Sequence, residues 1–594
     1  MQRVMLIILA LVMLSGCAST IKSTRMVVGS ELPQEHGVVA VKVVSNTNQL
    51  APLHPRWTEV IAFRLDNAEQ LKQAAIDKAK AHAKSKGRNF YEDKVEWKHD
   101  IYSLRALSEG VIDSQVFVGS MPAGEYIIGS LHSFYTDGNM SSWITMPVNI
   151  SAGKFNVKQN NLSDLGTVVF QPLLSIKEPS FWNNRSEQKA YVTRMPSKKS
   201  LQSFVTTHYP KLAKKLDLSS IITWQQDDLG DFRSQLSQLS RENAYADQTA
   251  HISGGLSKAL LAKFGQLKLL DENQQWEHHD VPTNSRLSSA LRIDDMLIVG
   301  SELGAIFIKN DSSKHWQELS PISAKEAVMW FGKIGNSIYA LTSSRQNYFV
   351  YDVKDIRTNW QKVGTFKRKE RSGFFVQNGG LYPVVTGNNV LRIINDNEKF
   401  DFDTITNTWK KSKSESLASM LQLKDGTLVG LEVSQWDGIG KQTVSFDDGD
   451  TWLSLSRKLK TWGDRKPDAS LPVVLDGNTI VSLGRSRDKS NKDLILISKD
   501  KTKTNKKYYW KEHGKVKEGC YSMLPNLSQG SMLFFLCDQG EIVSTNDLGK
   551  TWKLELDINI AEMQKEYEAL LAALKEQEKE KEKEKKQEQS GSEA

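Results

Sequence analysis

Short stretches in which hydrophobic and polar residues alternate recur along most of the chain, and turn residues separate them. Alternation with a period of two is typical of strands that bury one face, so the chain is predicted to be mainly β. In the N-terminal part the predicted strands are Val38–Val44, Trp57–Leu65, Trp97–Leu107, Ser114–Ser120, Glu125–Phe134, Ser142–Ile150 and Gly166–Phe170. Short strands divided by turns predict a β-sandwich over residues 34–172.

Apolar residues at helical spacing interrupt this pattern in three regions, residues 68–84, 173–250 and 558–594. Ala68–Lys84 is rich in Ala, Lys and Gln and predicts a helix inserted into the sandwich. Residues 173–250 contain two stretches with apolar residues three and four apart, Ser200–Leu216 and Leu229–Ala244, and predict a short helical linker.

Residues 558–594 predict a charged C-terminal helix. Its apolar residues fall at helical spacing: Ile560, Met563, Tyr567, Leu570, Leu571 and Leu574. One face of this helix is therefore expected to dock on the protein. Lys575–Gln589 is almost entirely Glu, Lys and Gln, so it is expected to be either a solvated helix with charge pairs or a disordered tail.

Residues 251–557 repeat one unit, which has an opening strand, a paired strand, a polar tip and a tryptophan. The opening strands are Ala259–Lys263, Met296–Gly300, Ser337–Leu341, Leu381–Val385, Thr427–Leu431, Thr479–Leu483 and Met532–Leu536. The closing tryptophans are Trp276, Trp316, Trp360, Trp409, Trp452, Trp510 and Trp552, with spacings from 40 (the first pair) to 58 residues (the fifth pair). Such a period with about four strands per unit predicts a β-propeller of about seven blades. Six or eight blades stay open because the first unit is faint.

Two of the polar tips spell S/T-x-D-x-G-x-T-W. Their motif residues are Ser445, Asp447, Gly449, Thr451 and Trp452 in the first, and Thr545, Asp547, Gly549, Thr551 and Trp552 in the second. The Asp can accept hydrogen bonds from backbone N–H groups two or three residues on, the Gly can take a positive φ, and the Trp can pack over the turn.

This motif resembles the Asp-box, or BNR, turn of sialidase-like and sortilin-like β-propellers. The resemblance implies that the boxes lie at the blade periphery and have a structural role. In the sandwich, Met121–Ile128 resembles the P-x-G-x-Y hairpin of prealbumin-like domains, although another sandwich of seven or eight strands fits the same residues.

The first residues have the pattern of an export signal. Arg3 precedes an apolar run, Val4–Leu14, which is too short to span a bilayer. Leu14-Ser15-Gly16-Cys17 resembles a bacterial lipobox, which implies a signal peptide over residues 1–16, a fatty-acylated Cys17 and a tether over residues 17–33. Ala18 then favours the outer membrane, periplasmic or surface-facing. A plain signal peptide with an incidental cysteine is the alternative.

Composition fits a globular protein attached to a membrane only through its N-terminal lipid. With 594 residues, 39% of them hydrophobic, the chain is long enough for two or three domains. The formal charge of +8 is small for this size, and together with export it argues against a nucleic-acid partner.

Cys520 and Cys537 flank a turn-like segment, Pro525–Gly530, almost symmetrically. As partners in a hairpin they would lie opposite each other, where an oxidising compartment permits a disulfide. Two buried free thiols are the alternative. No metal or cofactor site is predicted from their spacing.

No catalytic residue is predicted, and the protein is expected not to be an enzyme. Sialidases clamp a carboxylate with arginines, but the nearest match to their first arginine motif, Leu291-Arg292-Ile293-Asp294, lacks the aromatic residue and the proline. His278 and His279 are adjacent on a predicted strand and so point to opposite faces. We therefore expect a non-enzymatic binding or assembly protein with a protein or envelope-glycan partner. A sialidase-like glycan hydrolase and a structural spacer are the alternatives.

Overall fold

A computed structural model describes residues 21–29, 31–47, 56–136, 141–148, 152–177, 187–196, 198, 200–246, 251–253, 259–271, 273, 275–368, 380–388, 390–395, 397–434, 438–455, 470–485, 493–504, 510–528, 530–538 and 540–592. Among these residues, no helix combines the length and the apolar character needed to cross a bilayer.

The described residues of the N-terminal part form one sheet. Its strands are β1 (Lys22–Ser23), β2 (His36–Ser45), β3 (Glu59–Arg64), β4 (Ile101–Leu107), β5 (Gln115–Pro122), β6 (Gly124–Thr136), β7 (Ser141–Pro147), β8 (Lys154–Val157), β9 (Asn161–Lys177), β10 (Glu187–Met195) and β11 (Asp217–Ile222). The main order is β10-β9-β2-β5-β4-β3-β6-β7, while β1, β8 and β11 pair with β4, β6 and β9.

This sheet is curved until it is nearly barrel-like, so the expected sandwich takes the form of one continuous sheet. The two ends of the sheet share a core that includes Trp57, Phe117, Tyr126, Phe155 and Phe170. The mainly β fold class is confirmed.

The P-x-G-x-Y residues join β5 to β6. The Tyr126 hydroxyl donates to the Pro122 carbonyl at 2.9 Å, and the Tyr126 ring is fully buried. A Cβ on Gly124 would lie 2.8 Å from an Asp66 carboxylate oxygen, so the connection passes close to this side chain. The motif thus fixes a tight strand connection by a local hydrogen bond.

Five α-helices occur in the described residues. They are α1 (Ala68–Ser85), α2 (Gln202–His208), α3 (Pro210–Ala213), α4 (Gly230–Glu242) and α5 (Ile560–Ser592), and two 3-10 turns lie at Glu92–Lys94 and Lys263–Gly265. Phe204, Val205 and Leu212 of α2 and α3 pack on the outer face of the N-terminal sheet, against Val38 and Val116.

Seven further sheets, counted over the described residues, form the blades. Blade 1 contains β13 (Ala259–Leu261), β14 (Gln266–Leu270) and β15 (Trp276–Asp280), and blade 2 contains β16 (Ser289–Ile293), β17 (Met296–Gly300), β18 (Ile306–Asn310) and β19 (Gln317–Leu319). Blade 3 contains β20 (Ala327–Ile334), β21 (Ser337–Ser343), β22 (Asn347–Asp355) and β23 (Asn359–Lys367), and blade 4 contains β24 (Leu381–Val385), β25 (Leu391–Asn395), β26 (Glu398–Asp403) and β27 (Thr408–Lys413).

The remaining blades have the same order of strands. Blade 5 contains β28 (Leu417–Gln422), β29 (Leu428–Ser434), β30 (Gly438–Ser445) and β31 (Leu453–Ser454). Blade 6 contains β32 (Val473–Leu475), β33 (Thr479–Arg485), β34 (Leu494–Asp500) and β35 (Lys511–Lys515), and blade 7 contains β36 (Cys520–Met523), β37 (Leu533–Cys537), β38 (Ile542–Thr545) and β39 (Lys553–Leu556). One more strand, β12 (His251–Ser253), pairs in parallel with β16 on the axial side of blade 2.

The seven repeat tryptophans lie in equivalent places. Each is partly buried in a cluster shared by its own blade and the preceding blade. Trp276 of blade 1 packs with Leu524 and Phe534 of blade 7, so the ring closes on itself. The prediction of a propeller of about seven blades is thus confirmed, and the open alternatives of six and eight are settled at seven.

The N-terminal domain lies on one end of the propeller, at the connections that lead into the innermost strands of blades 2 and 3. Glu302 accepts hydrogen bonds there from the backbone N–H groups of Ile112, Asp113 and Ser114 at 2.7–3.0 Å. Lys263 pairs with Asp113, and both side chains are buried. Buried polar contacts therefore hold the two domains in one orientation.

After blade 7 the chain returns to the N-terminal domain as α5. Met563, Tyr567 and Leu570 pack there in one cluster with Tyr191 and Leu236. The expected apolar face of α5 is the face that makes these contacts, and α5 continues through the Glu/Lys/Gln-rich stretch to Ser592.

Candidate binding site at the propeller axis

The predicted lipid-attachment residue, Cys17, lies outside the described residues, as do the rest of the signal peptide and the first part of the tether. The first described residue is Ile21, directly before β1.

Both Asp boxes form the same turn. In the first, Asp447 accepts hydrogen bonds from the Thr451 N–H at 2.9 Å and the Thr451 hydroxyl at 2.6 Å, while the Gly449 N–H donates to the Ser445 hydroxyl at 2.8 Å. The second repeats this pattern with distances of 2.9, 2.7 and 2.9 Å. The two glycines have φ of +88° and +86°, a conformation that favours glycine.

The boxes also contact the preceding blade. Arg392 on blade 4 donates to the Asp448 carbonyl at 2.9 Å and to the Asp450 carboxylate at 2.8 Å. In the second box, a Cβ on Gly514 of blade 6 would meet the Gly549 carbonyl at 2.3 Å, so the two backbones touch. The boxes therefore join blades at the periphery. Arg392 also pairs with Asp401 of its own blade at 2.6 Å. Sequence reasoning missed its contact with the box because Asp448 and Asp450 lie more than fifty residues away.

Hydrogen bonds to the second box's aspartate favour its ionised form. The Thr551 hydroxyl and N–H, with further donors, lower the pKa of Asp547 to about 2. In the first box, burial opposes the hydrogen bonds of Thr451, but the pKa of Asp447 is still lowered.

Cys520 and Cys537 are joined by a disulfide in the structure, and they are direct partners in the register of β36 and β37. Both residues are buried within the core between blades 6 and 7. The bond therefore ties the innermost strand of blade 7 to its neighbour.

The residues weighed for catalysis or metal binding lie on two neighbouring blades, with Arg292 in β16 and both histidines in β15. Arg292 pairs with both carboxylate oxygens of Asp311 on its own blade, at 2.8 and 2.7 Å. Burial lowers the pKa of both His278 and His279. Within the described part of the chain, no group of three or more His, Cys, Asp or Glu residues has the geometry to hold a metal ion.

A small cavity of about 70 Å³ lies at the axis, at the propeller end remote from the N-terminal domain. It is lined by Trp330, Tyr382, Pro383, Met420, Leu421, Gln422, Leu423, Lys424, Pro525, Asn526 and Ser528, which come from blades 3, 4, 5 and 7. Several of these residues follow the ends of innermost strands, whereas the N-terminal domain contacts the connections before them. Seven of the eleven lining residues are apolar in type, but most of the surface that faces the cavity is polar.

Hydrogen bonds between neighbouring blades hold this lining in place. The Tyr382 hydroxyl donates to the Ala418 carbonyl at 2.8 Å, and burial raises the pKa of Tyr382. The Gln422 side chain bonds both backbone groups of Val385, at 3.0 and 2.7 Å. These bonds fix the ends of the neighbouring blades around the cavity, so its lining is pre-organised.

No protein-family model matches the chain, and no curated protein matches it either. Solved propeller structures do resemble it. BamB from Moraxella catarrhalis is 12% identical, with 51% of this chain and 83% of that chain covered, at a TM-score of 0.30. YCF48 bound to D1 peptide is 17% identical over 51% and 93%, at 0.34. The Cps50 (Swd1) β-propeller domain from Myceliophteria thermophila is 8% identical over 50% and 96%, at 0.33. Because these identities and TM-scores are low, the count of seven blades is taken from the sheets described above and not from these structures.

Proposed function

We propose that this protein is a lipid-anchored cell-envelope binding or assembly protein whose propeller is a non-enzymatic platform for a protein or envelope-glycan partner. The observation that carries this proposal is the axial cavity, whose lining residues Tyr382 and Gln422 are held in place by inter-blade hydrogen bonds. A rigid lining of this kind binds a partner at low entropic cost.

The composition of the cavity disfavours the glycan hydrolase. Glycosidases of most families need two carboxyl groups about 5–9.5 Å apart. None of the described residues that line the axial cavity is an Asp or a Glu. A structural spacer would need no ordered aromatic lining, so the cavity also favours binding over that alternative.

The finer assignments belong to the same proposal. The two Asp-box turns support a place among the BNR-repeat, sialidase-like propellers, and the buried Tyr126 hairpin supports a prealbumin-like relationship. The lipobox supports acylation of Cys17 and attachment to the outer membrane of a Gram-negative bacterium.

Site-specific photocrosslinking in intact cells tests the platform. A photoreactive amino acid replaces Lys424 at the cavity or, as the matched control, the 90% exposed Ile405 on the rim of blade 4. We expect a discrete adduct from position 424 that position 405 does not give. The absence of an adduct at 424, or the same adducts from both positions, would refute the proposal.

Acylation is tested separately, by feeding cells an alkyne-tagged fatty acid. The wild-type protein should incorporate the tag, and the Cys17→Ser variant should not. Equal labelling of the two proteins, or none of either, would contradict the lipid anchor while leaving the platform intact.

A further inference from the structure

The helix α1 projects from the N-terminal sheet and carries an uneven distribution of charge. Of its eighteen residues only Ile76 is buried. Its acidic residues, Glu69 and Asp77, are the second and tenth of the eighteen. From residue 78 to residue 91 the sequence has no acidic residue at all.

The second half of α1 and the segment after it are basic. Lys78, Lys80, Lys84, Lys86 and Arg88 are all exposed. Within the part of the chain that the structure describes, none of the five forms an ion pair. An exposed group of uncompensated cations on an isolated helix is suited to a surface of opposite charge.

The start of α1 lies next to the N-terminal tether. Lys22 of β1 pairs with Asp100 at 2.7 Å, and the same carboxylate accepts a hydrogen bond at 2.8 Å from Asn67, the residue before α1. Cys17 precedes Ile21 by four residues, which can span at most about 14 Å. The predicted anchor and the basic helix therefore leave the sheet at the same end.

An exposed aromatic side chain follows the basic segment. Tyr91 is 53% exposed, and the Lys94 ammonium lies 4.7 Å from the centre of its ring. Tyrosine is enriched where protein meets the headgroup region of a bilayer, because its ring is apolar and its hydroxyl is polar.

We propose that the second half of α1, with residues 86–91, lies on the anionic phospholipid headgroups of the membrane that holds the protein. That a membrane lies near α1 rests on the proposed lipid anchor. The attraction between α1 and the headgroups rests on the exposed cations described above. The contact would hold the propeller in a defined orientation to the bilayer, which a single lipid anchor cannot do.

Vesicle flotation tests the attraction without any acyl chain. The protein used begins at Ala18 and so contains every described residue. We expect it to float with vesicles of phosphatidylethanolamine and phosphatidylglycerol at low salt, but not with vesicles of phosphatidylcholine. Binding should weaken as the salt concentration screens the charges.

Two variants locate the contact. Replacing Lys78, Lys80, Lys84 and Lys86 by Gln should lower the partition coefficient by about 600-fold, since each of the four lysines near an anionic surface contributes about fivefold. The matched control replaces Lys575, Lys579, Lys581 and Lys583 of α5 by Gln. It makes the same change in net charge and should bind like the wild-type protein.

Equal binding to both kinds of vesicle, no binding to either, or equal losses in the two variants would overturn the inference. The last result would indicate a dependence on net charge alone. A failed fatty-acid labelling with intact flotation would remove the anchor and leave the basic helix as a membrane contact. The reverse outcome would leave the anchor and exclude the helix.

Discussion

Asp547 shows how much a single side chain can do at a blade tip. Its carboxylate accepts hydrogen bonds from the Thr545 hydroxyl, the Lys550 N–H, and the N–H and hydroxyl of Thr551. All four bonds favour the charged form, so they stabilise the fold only while the carboxylate is ionised.

Replacement of Asp547 by Asn should change the pH dependence of stability. Because the pKa of Asp547 is lowered to about 2 in the fold, its contribution is present above the unfolded pKa of about 4 and is lost as the pH falls from there toward 2. We expect Asp547→Asn to lower the melting temperature at pH 7 and to flatten its fall between pH 5 and pH 2. Thermal melts over this range measure the effect.

The control for this prediction is Asp77→Asn on the exposed helix α1, which should keep the wild-type profile. A parallel fall of the Asp547→Asn and wild-type curves would show that the box contributes nothing to acid sensitivity.

The Cys520–Cys537 bond closes a loop with a sequence separation of 17 residues. Closing a loop of this length lowers the conformational entropy of the unfolded chain, which stabilises the fold by about 3 kcal/mol. The double variant Cys520→Ala, Cys537→Ala should therefore have a free energy of unfolding lower by about this amount or more, since two buried side chains also shrink. Denaturant titration with and without reductant checks it. Reductant should destabilise the wild-type protein only.

Contacts between residues close together in the sequence could be predicted from it, whereas contacts between residues far apart could not. An Asp box spans eight residues and the cysteines flank one turn, so spacing alone brings their partners together. Glu302 and Arg392 look like ordinary charged residues because the partners that they reach on another domain or blade are 188–190 and 56–58 positions away, respectively. Only the folded topology identifies them as buried connectors.

At the scale of elements, α5 depends on a few apolar contacts. Met563 is 1% exposed, and the Tyr567 ring stacks on Tyr191 with 5.0 Å between centroids. Lys189 adds an ion pair with Glu568, but both side chains are well exposed and the pair contributes little.

Met563→Ala should release α5 from the N-terminal domain. Removing a buried methionine costs about 2–5 kcal/mol, which is comparable to the whole docking energy of one short helical face. We expect faster amide exchange over Ile560–Leu574 while exchange in the blades stays unchanged. The exposed substitution Gln577→Ala is the control. Unaltered protection in Met563→Ala would mean that α5 is held by other contacts.

Helix α1 followed from periodicity and agrees with the predicted Ala68–Lys84. The predicted helical linker over residues 173–250 was wrong in part, because β10 and β11 within it belong to the N-terminal sheet. The faint first repeat has a physical reason. Blade 1 has three strands among the described residues, and β12 pairs instead with β16 of blade 2. Alternation of side chains records a strand's buried face but not which neighbour it pairs with.

At the scale of the whole molecule, Glu302 is the central connector between the domains. Its side chain accepts three backbone N–H groups and the Ser114 hydroxyl, the last at 2.5 Å, and it is buried. A buried N–H group that loses its acceptor lowers the free energy of unfolding by about 1–3 kcal/mol.

Glu302→Ala leaves these donors unsatisfied, so we expect a loss of stability of at least about 3 kcal/mol and faster amide exchange at residues 112–114. Calorimetry and hydrogen exchange measure the two effects. Glu415→Ala, an exposed change between blades 4 and 5, should alter neither. Unchanged exchange at residues 112–114 would show that the interface holds without this carboxylate.

Two closures of the fold join segments far apart in the chain: blade 1 against blade 7, and α5 against β9 and β10. The Lys189–Glu568 contact spans 379 positions. A polypeptide synthesised N-terminus first therefore leaves Tyr191 and the open flank of blade 1 uncovered until the last residues are made, because their partners arrive last. We expect the growing chain to need chaperones until then, and the arrival of one helix to release it from them.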